Sequence, residues 1–76
     1  MVVNFTDKLV TFGSTLRDAR RERGLSQEEL ALRCDLDRTY ISGLERGRRN
    51  PTLRVLLIIS THLGMPLSEL LISIKN

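Results

Sequence analysis

Aromatic side chains are scarce in this 76-residue chain: it has two Phe, one Tyr and no Trp. Its core must therefore be aliphatic. Cys34 is the only cysteine and His62 the only histidine, so no intramolecular disulfide can form. A zinc site built from Cys and His would lack ligands as well. Cys34 is expected to be a small buried hydrophobe, and His62 to pack on a helix. Two Pro and five Gly exclude a collagen-like or low-complexity chain. No apolar run reaches the ~20 residues that span a bilayer. The opening stretch MVVNFTDKLV lacks the basic and long apolar regions of a signal peptide. A soluble, cytoplasmic protein is expected, with no membrane partner.

What is present is an apolar fraction of 41% and a charged fraction of 28%, enough for a small core and too apolar for disorder. The length suits one small domain, residues 1–76, burying roughly 60% of the surface of its unfolded chain. Net charge is +3, and its placement says more than its size. Ten of the twelve basic residues are Arg, and all ten lie between Arg17 and Arg54. From Arg38 to Arg54 there are five Arg and one acid, Glu45. From Val55 onward, 22 residues hold one Lys, one Glu and twelve apolar residues. One part suits a polyanion, the other packing.

Apolar spacing is helical almost throughout, and no segment reads as a strand. Leu9, Phe12, Leu16, Ala19 and Arg23 mark a first helix over about 7–23, weakened at Gly13 and stopped by Gly24. Ser26 and Glu29 form a capping box for a second helix, whose inner face is Gln27, Leu30, Ala31 and Cys34. Asp37 caps a third over about 38–46, with Ile41 and Leu44 inward and Gly47 at its end. Thr52 caps a fourth over about 53–63, with Leu53, Leu56, Leu57, Ile59 and Leu63 as core and Gly64 beyond. A fifth runs over about 67–74. The chain is therefore expected to be all-α, a compact five-helix fold. Helices two and three, over about 26–46, describe a helix-turn-helix.

The stretch SQEELALRCDLDRTYISGLERGRRNPTL, continued by LGMPLSELL and preceded by LRDARRERG, resembles the DNA-binding domain of the Xre/Cro-type repressors. The resemblance covers Leu16 to Leu71. Within that family LDRTYISGLERGRRN is most similar to controller proteins of restriction-modification systems. It implies a phage-repressor type of fold and a transcriptional regulator bound to double-stranded operator DNA. It also implies a buried ion pair between Arg20 and Glu45, and a phosphate contact from Gln27. One departure is Asp35, where the family usually has Gly. Asp tolerates a left-handed backbone better than most non-Gly residues.

The first turns of a recognition helix face the major groove. Arg38, Thr39, Tyr40, Ser42 and Gly43 are the candidate base contacts. Arg38 can donate twice to guanine, Thr39 can place its methyl against thymine, and Gly43 allows close approach. A cation in the first turn of a helix opposes the macrodipole by ~0.3–1 kcal/mol, so a choice made for stability alone would not place Arg38 there. Candidate phosphate contacts are Gln27, Arg46, Arg48, Arg49, Asn50, Thr52 and Arg54, around the N-termini of helices two and four. Arg17, Arg21 and Arg23 can serve either solubility or phosphate.

Helices over about 53–74 leave Ile58, Met65, Leu71, Ile72 and Ile74 as an apolar surplus, a candidate homodimer surface. Helix-turn-helix dimers read inverted half-sites ~34–36 Å apart. RNA polymerase is a further candidate partner, through Glu28 and Glu29. No cofactor, metal or small-molecule effector is expected. An enzyme is disfavoured, since there is no metal cluster, phosphate loop or triad. An antitoxin-like interaction module and a phage or plasmid repressor remain the alternatives on the same fold.

Overall fold

The computed structural model describes residues 5–74. Within them lie five helices: α1 (Phe5–Glu22), α2 (Gln27–Cys34), α3 (Arg38–Glu45), α4 (Leu53–Leu63) and α5 (Leu67–Leu70). Each helix sends at least one fully buried aliphatic side chain to a shared centre. These are Leu16, Leu30, Ile41 with Leu44, Ile59 and Leu70. Phe12 is the one buried aromatic in that cluster, and Cys34 is buried in it too. The core follows from three- and four-residue spacing, which keeps Phe12, Leu16 and Ala19 on one face of α1.

Helix ends obey local chemistry. Ser26 Oγ accepts from the Glu29 N–H at 3.0 Å, and Glu29 Oε1 accepts from the Ser26 N–H at 3.0 Å, completing the capping box. Asp37 and Thr52 cap α3 and α4 by their side-chain oxygens alone, accepting from the Thr39 and Val55 N–H groups. The residues Asp35, Leu36 and Asp37 link α2 to α3. Asp35 is left-handed at φ 54°, and the Leu36 N–H returns to the Ala31 carbonyl at 2.9 Å. The turn thus keeps its shape with Asp in place of Gly.

Helix α3 packs against both α1 and α2. The approach of α1 to α3 is close enough to need Gly13. A Cβ there would stand 2.4 Å from the Leu44 carbonyl oxygen and 2.5 Å from that of Glu45. Gly13 is therefore not merely a weak point in α1; its missing side chain is the space that the end of α3 occupies.

Several expectations need correction. Helix α1 spans Phe5–Glu22 instead of 7–23. Helix α3 ends at Glu45, with Arg46 as its C-cap. The fifth helix stops at Leu70 rather than residue 74. Beyond it the Ile72 and Ile74 N–H groups bond to the Glu69 and Leu71 carbonyls, three residues back, so the chain tightens into turns. This returns Leu71 and Ile74 to a cleft shared with Leu9, Phe12 and Leu56. Leu53 and Leu57, expected in the core, are 65% and 48% exposed. At about 100° per residue, the stripe Leu56, Ile59, Leu63 already fills the inner face of α4 and turns Leu53 and Leu57 away. His62 is on α4 but points to solvent.

The close contact at Gly13 gives the first prediction. Gly13→Ala should gain roughly 1 kcal/mol of helix propensity and still lower stability overall. Overpacking against immovable backbone costs about 1–3 kcal/mol. Urea unfolding reads the sign; a midpoint at or above the wild-type value would show that α1 and α3 separate freely.

Candidate nucleic-acid interface

Asp37 opens α3 with a doubled cap. Its Oδ1 accepts from the Thr39 N–H at 2.8 Å and from the Thr39 hydroxyl at 2.6 Å. Those bonds hold the exposed Asp37 carboxyl below its ordinary value, the side-chain bond contributing most. The Thr39 hydroxyl proton is thus already donated. Its lone pairs and methyl remain free for a base edge, which narrows the role expected from the sequence.

With Ile41 and Leu44 fully buried, α3 turns its other face outward. Arg38, Thr39, Ser42, Gly43, Arg46, Arg48 and Arg49 line one shallow concavity of about 400 Å³. Four of the seven are Arg and none is acidic. Four guanidiniums on one open surface repel one another, and a polyanion would relieve that. Tyr40 lies beside this surface, half-buried against the core, with the Arg49 guanidinium carbon 5.7 Å from its ring centre.

The remaining predicted contacts fall elsewhere. Asn50 lines the apolar cleft formed by Leu9, Phe12, Pro51, Leu56, Leu71 and Ile74 rather than the basic concavity. Thr52 Oγ1 accepts from the Val55 N–H at 3.2 Å, which leaves the first N–H groups of α4 outward with Arg54 exposed beside them. Gln27 is drawn inward: its side-chain amide donates to Glu45 Oε1 at 3.1 Å.

Glu45 gathers the largest polar cluster of the described residues. Arg20 Nε donates to its Oε2 at 2.6 Å and Arg20 Nη2 to its Oε1 at 3.0 Å, a two-pronged buried pair. Arg20 Nη1 also donates to the Leu25 carbonyl at 2.7 Å. Arg17 adds a longer ion pair at 3.6 Å. Burial pushes the Glu45 carboxyl up. The hydrogen bonds from Arg20 and Gln27 and the charges of Arg20 and Arg17 outweigh that, and the group ends below its ordinary 4.5. Among the described residues no buried side-chain polar atom lacks a partner.

Two roles were not found in the sequence. Arg17 joins the Glu45 cluster, and Arg23 donates from Nε to the Leu63 carbonyl at the end of α4 and from Nη1 to the Ala19 carbonyl at 2.8 Å. Only their place in a dense Arg segment hinted at either. The apolar surplus is also smaller than expected. Ile58, Met65, Leu71 and Ile74 pack partly against the core, while Ile72 is 72% exposed. Cys34 is inert in position: burial pushes its thiol up, away from the reactive thiolate. Among the described residues no group of three or more His, Cys, Asp or Glu could hold a metal ion. None of the described helices is long and apolar enough to cross a membrane.

A short helix carrying an acid-free basic face, held over a preceding helix by a left-handed turn, defines the helix-turn-helix class of DNA-binding proteins. A family model described as helix-turn-helix matches residues 16–70, and the chain belongs to that family. It is 47% identical over 71 residues to the control protein C.MunI of a Mycoplasma species, covering 92% of this chain and 96% of the relative. Its fold is similar to the crystal structure of the restriction-modification controller protein C.AhdI from Aeromonas hydrophila. The TM-score is 0.83 at 47% identity, over 84% of this chain and 97% of the other. A tetramer of the controller C.Esp1396I in complex with its natural 35 base-pair operator is similar at TM-score 0.76 and 40% identity, over 86% and 90% of the two chains. This chain is a helix-turn-helix transcriptional regulator homologous to restriction-modification controller proteins. Its relatives are regulators, not enzymes.

The Glu45 cluster sets a pH dependence. A carboxyl depressed in the folded state stabilises above its unfolded value, and that contribution is lost as pH falls through the folded value. Glu45→Ala should cost about 3–5 kcal/mol near neutral pH, because Arg20 is left buried and unpaired. The gap between wild type and Glu45→Gln should narrow as pH drops below about 4.5. Thermal unfolding across pH 3–7, as ~1 unit steps, checks this; a constant gap would mean that Glu45 contributes shape and not charge.

Proposed function

We propose that this chain acts in the cytoplasm, on the nucleoid, as a homodimer bound to inverted half-sites of double-stranded operator DNA. It controls its own promoter and those of neighbouring restriction-modification genes. Residues 1–76 act as one DNA-binding unit, paired through α4 and the segment after it. The observation that carries this reading is the concavity on α3, with four Arg and no acid. Kinship with controller proteins, one of them solved as a tetramer on its operator, supports the regulatory part.

In this reading Arg38 is the principal base reader, donating two hydrogen bonds to guanine from the exposed first turn of α3. Thr39 presents its methyl and acceptor lone pairs. Ser42 offers its hydroxyl to a base edge, Gly43 keeps the surface low where the Arg49 side chain passes, and Tyr40 lies at the margin. Arg46, Arg48 and Arg49 neutralise phosphates along the groove. Arg54 and the outward N–H groups of α4 hold a second stretch of backbone. Gln27 reaches a phosphate with the part of its amide that Glu45 does not use. Asn50 and Thr52 complete the phosphate contacts at the rim.

Pairing places two α3 helices on successive major grooves. Ile72 is the exposed apolar residue of the C-terminal turns, and Leu53 and Leu57 are exposed on α4. With the half-buried Ile58, Met65, Leu71 and Ile74, they supply the apolar surface such a pair buries. RNA polymerase is a partner at promoters that are activated, through Glu28, since Glu29 is committed to the Ser26 cap.

Selection of bound sites from random duplex DNA at defined salt tests the reading. An enriched motif of two inverted half-sites is expected; enrichment of nothing would leave only a basic surface. Arg38→Ala should cost about 1–3 kcal/mol on the selected site and relax one base position. Arg48→Ala should weaken all sequences alike and lower the salt slope by about 1. Leu57→Asp and Ile72→Asp should shift sedimentation toward monomer without unfolding the chain, because both side chains are exposed. Unchanged sedimentation in both would place the pairing surface elsewhere.

A further inference from the structure

We propose that Arg49 is a positioning residue for Tyr40, and that residue 43 is glycine so that the Arg49 side chain can cross the recognition helix to reach it. The DNA side of this proposal rests on the reading that α3 faces the operator. It assigns Arg49 a task beyond neutralising phosphate.

Three observations meet at this point. The Arg49 guanidinium carbon lies 5.7 Å from the centre of the Tyr40 ring, inside the ~6 Å range of cation–π attraction. Arg49 makes no ion pair with any described acid, so the ring is the partner its cation has found. Between the two residues lies Gly43, one helical turn after Tyr40 and on the same side of α3. A Cβ on Gly43 would stand 2.7 Å from Arg49 Cγ. That atom is near the root of the side chain, so the whole arm would have to leave.

Glycine inside an eight-residue helix is a poor choice for helix stability. The passage of Arg49 accounts for it. Tyr40 packs partly against the core, and the Arg49 guanidinium lies over its ring. The ring is therefore set before DNA arrives, and less ordering is left for binding to impose. The loop after α3 and the first turn of α3 then meet the groove as one unit. A planar guanidinium suits this stacking better than an ammonium.

The test uses the full chain. Tyr40 is the only tyrosine and there is no tryptophan, so its ring resonances and its fluorescence report one site. Arg49→Lys keeps the charge and removes the planar group. Gly43→Ala strengthens the helix and blocks the crossing, so it stays folded. Both should shift the Tyr40 ring resonances in the free protein. Arg49→Lys should also lower discrimination between the selected operator and its single-base variants by about 2- to 5-fold, with the salt slope unchanged. Combined with Tyr40→Leu, it should cost no more discrimination than Tyr40→Leu alone. Unmoved ring resonances in both variants would overturn the positioning role. So would losses that multiply in the double variant, or full discrimination kept by Arg49→Lys, the mark of a plain phosphate contact that an ammonium can replace. A wild-type chain with no operator preference would instead overturn the DNA reading and with it this proposal's role in recognition, while the ring resonances report separately on the contact.

Discussion

Arg20 and Glu45 meet at the junction of α1 and α3, and the orientation of the recognition helix depends on that meeting. Glu45 is the last residue of α3, at the negative end of the helix dipole, where an acid is disfavoured by ~0.3–1 kcal/mol. Two donors from Arg20, one from Gln27 and the nearby charge of Arg17 reverse the balance. Arg20 also grips the Leu25 carbonyl, so a single side chain ties α1, the link to α2 and the end of α3. Such a pair contributes little net stability against an apolar substitute, but breaking one half of it is costly. What it supplies is direction: it holds α3 at one angle, and the outer face of α3 follows.

Gly13 and the Glu45 cluster work on the same contact from opposite sides. Gly13 removes a side chain so that the backbone of α1 can touch the carbonyls of Leu44 and Glu45. The ion pair then fixes the register of that touch. Arg23 fastens the far end of α1 to the end of α4 through the Leu63 carbonyl. Three arginines in and just after α1, Arg17, Arg20 and Arg23, are thus spent inward or sideways on the scaffold. Those of α3 and the following loop, Arg38, Arg46, Arg48 and Arg49, gather around one open concavity. A dense Arg segment is divided between two tasks according to which way each helix faces.

Much of this was legible in the residues themselves. Caps at Ser26, Asp37 and Thr52 are local hydrogen-bond chemistry, so spacing alone placed them, and helix starts came out within a residue or two. Leu30, Ile41, Leu44 and Ile59 read as core because helical periodicity leaves them no other side. The basic surface was visible as Arg density between positions 38 and 54, and the left-handed turn at Asp35 was implied by the resemblance, since the family usually has Gly there. Leu53 and Leu57 were misread because both obey helical spacing with their neighbours, and spacing does not say which of two apolar stripes meets the core. The end of α5 was misread for a similar reason: Leu71 and Ile74 turn back toward α1 because the cleft there has room for them.

Helices, caps and the concentration of arginine are readable from the residues alone, since each arises within a few positions, while the left-handed residue in the turn was suggested by the resemblance. What those arginines do depends on packing, although the family resemblance already implied the Arg20–Glu45 pair that the structure shows. Arg20 and Glu45 are 25 positions apart, as the Arg20 bond to Glu45 records, and Arg23 is 40 positions from Leu63. The crossing of Arg49 over Gly43 to Tyr40 likewise depends on the path of the loop after α3. Periodicity has no term for such separations. The Arg20–Glu45 meeting depends on how closely α1 approaches α3, and that approach needs a glycine whose value shows only once the helices are packed.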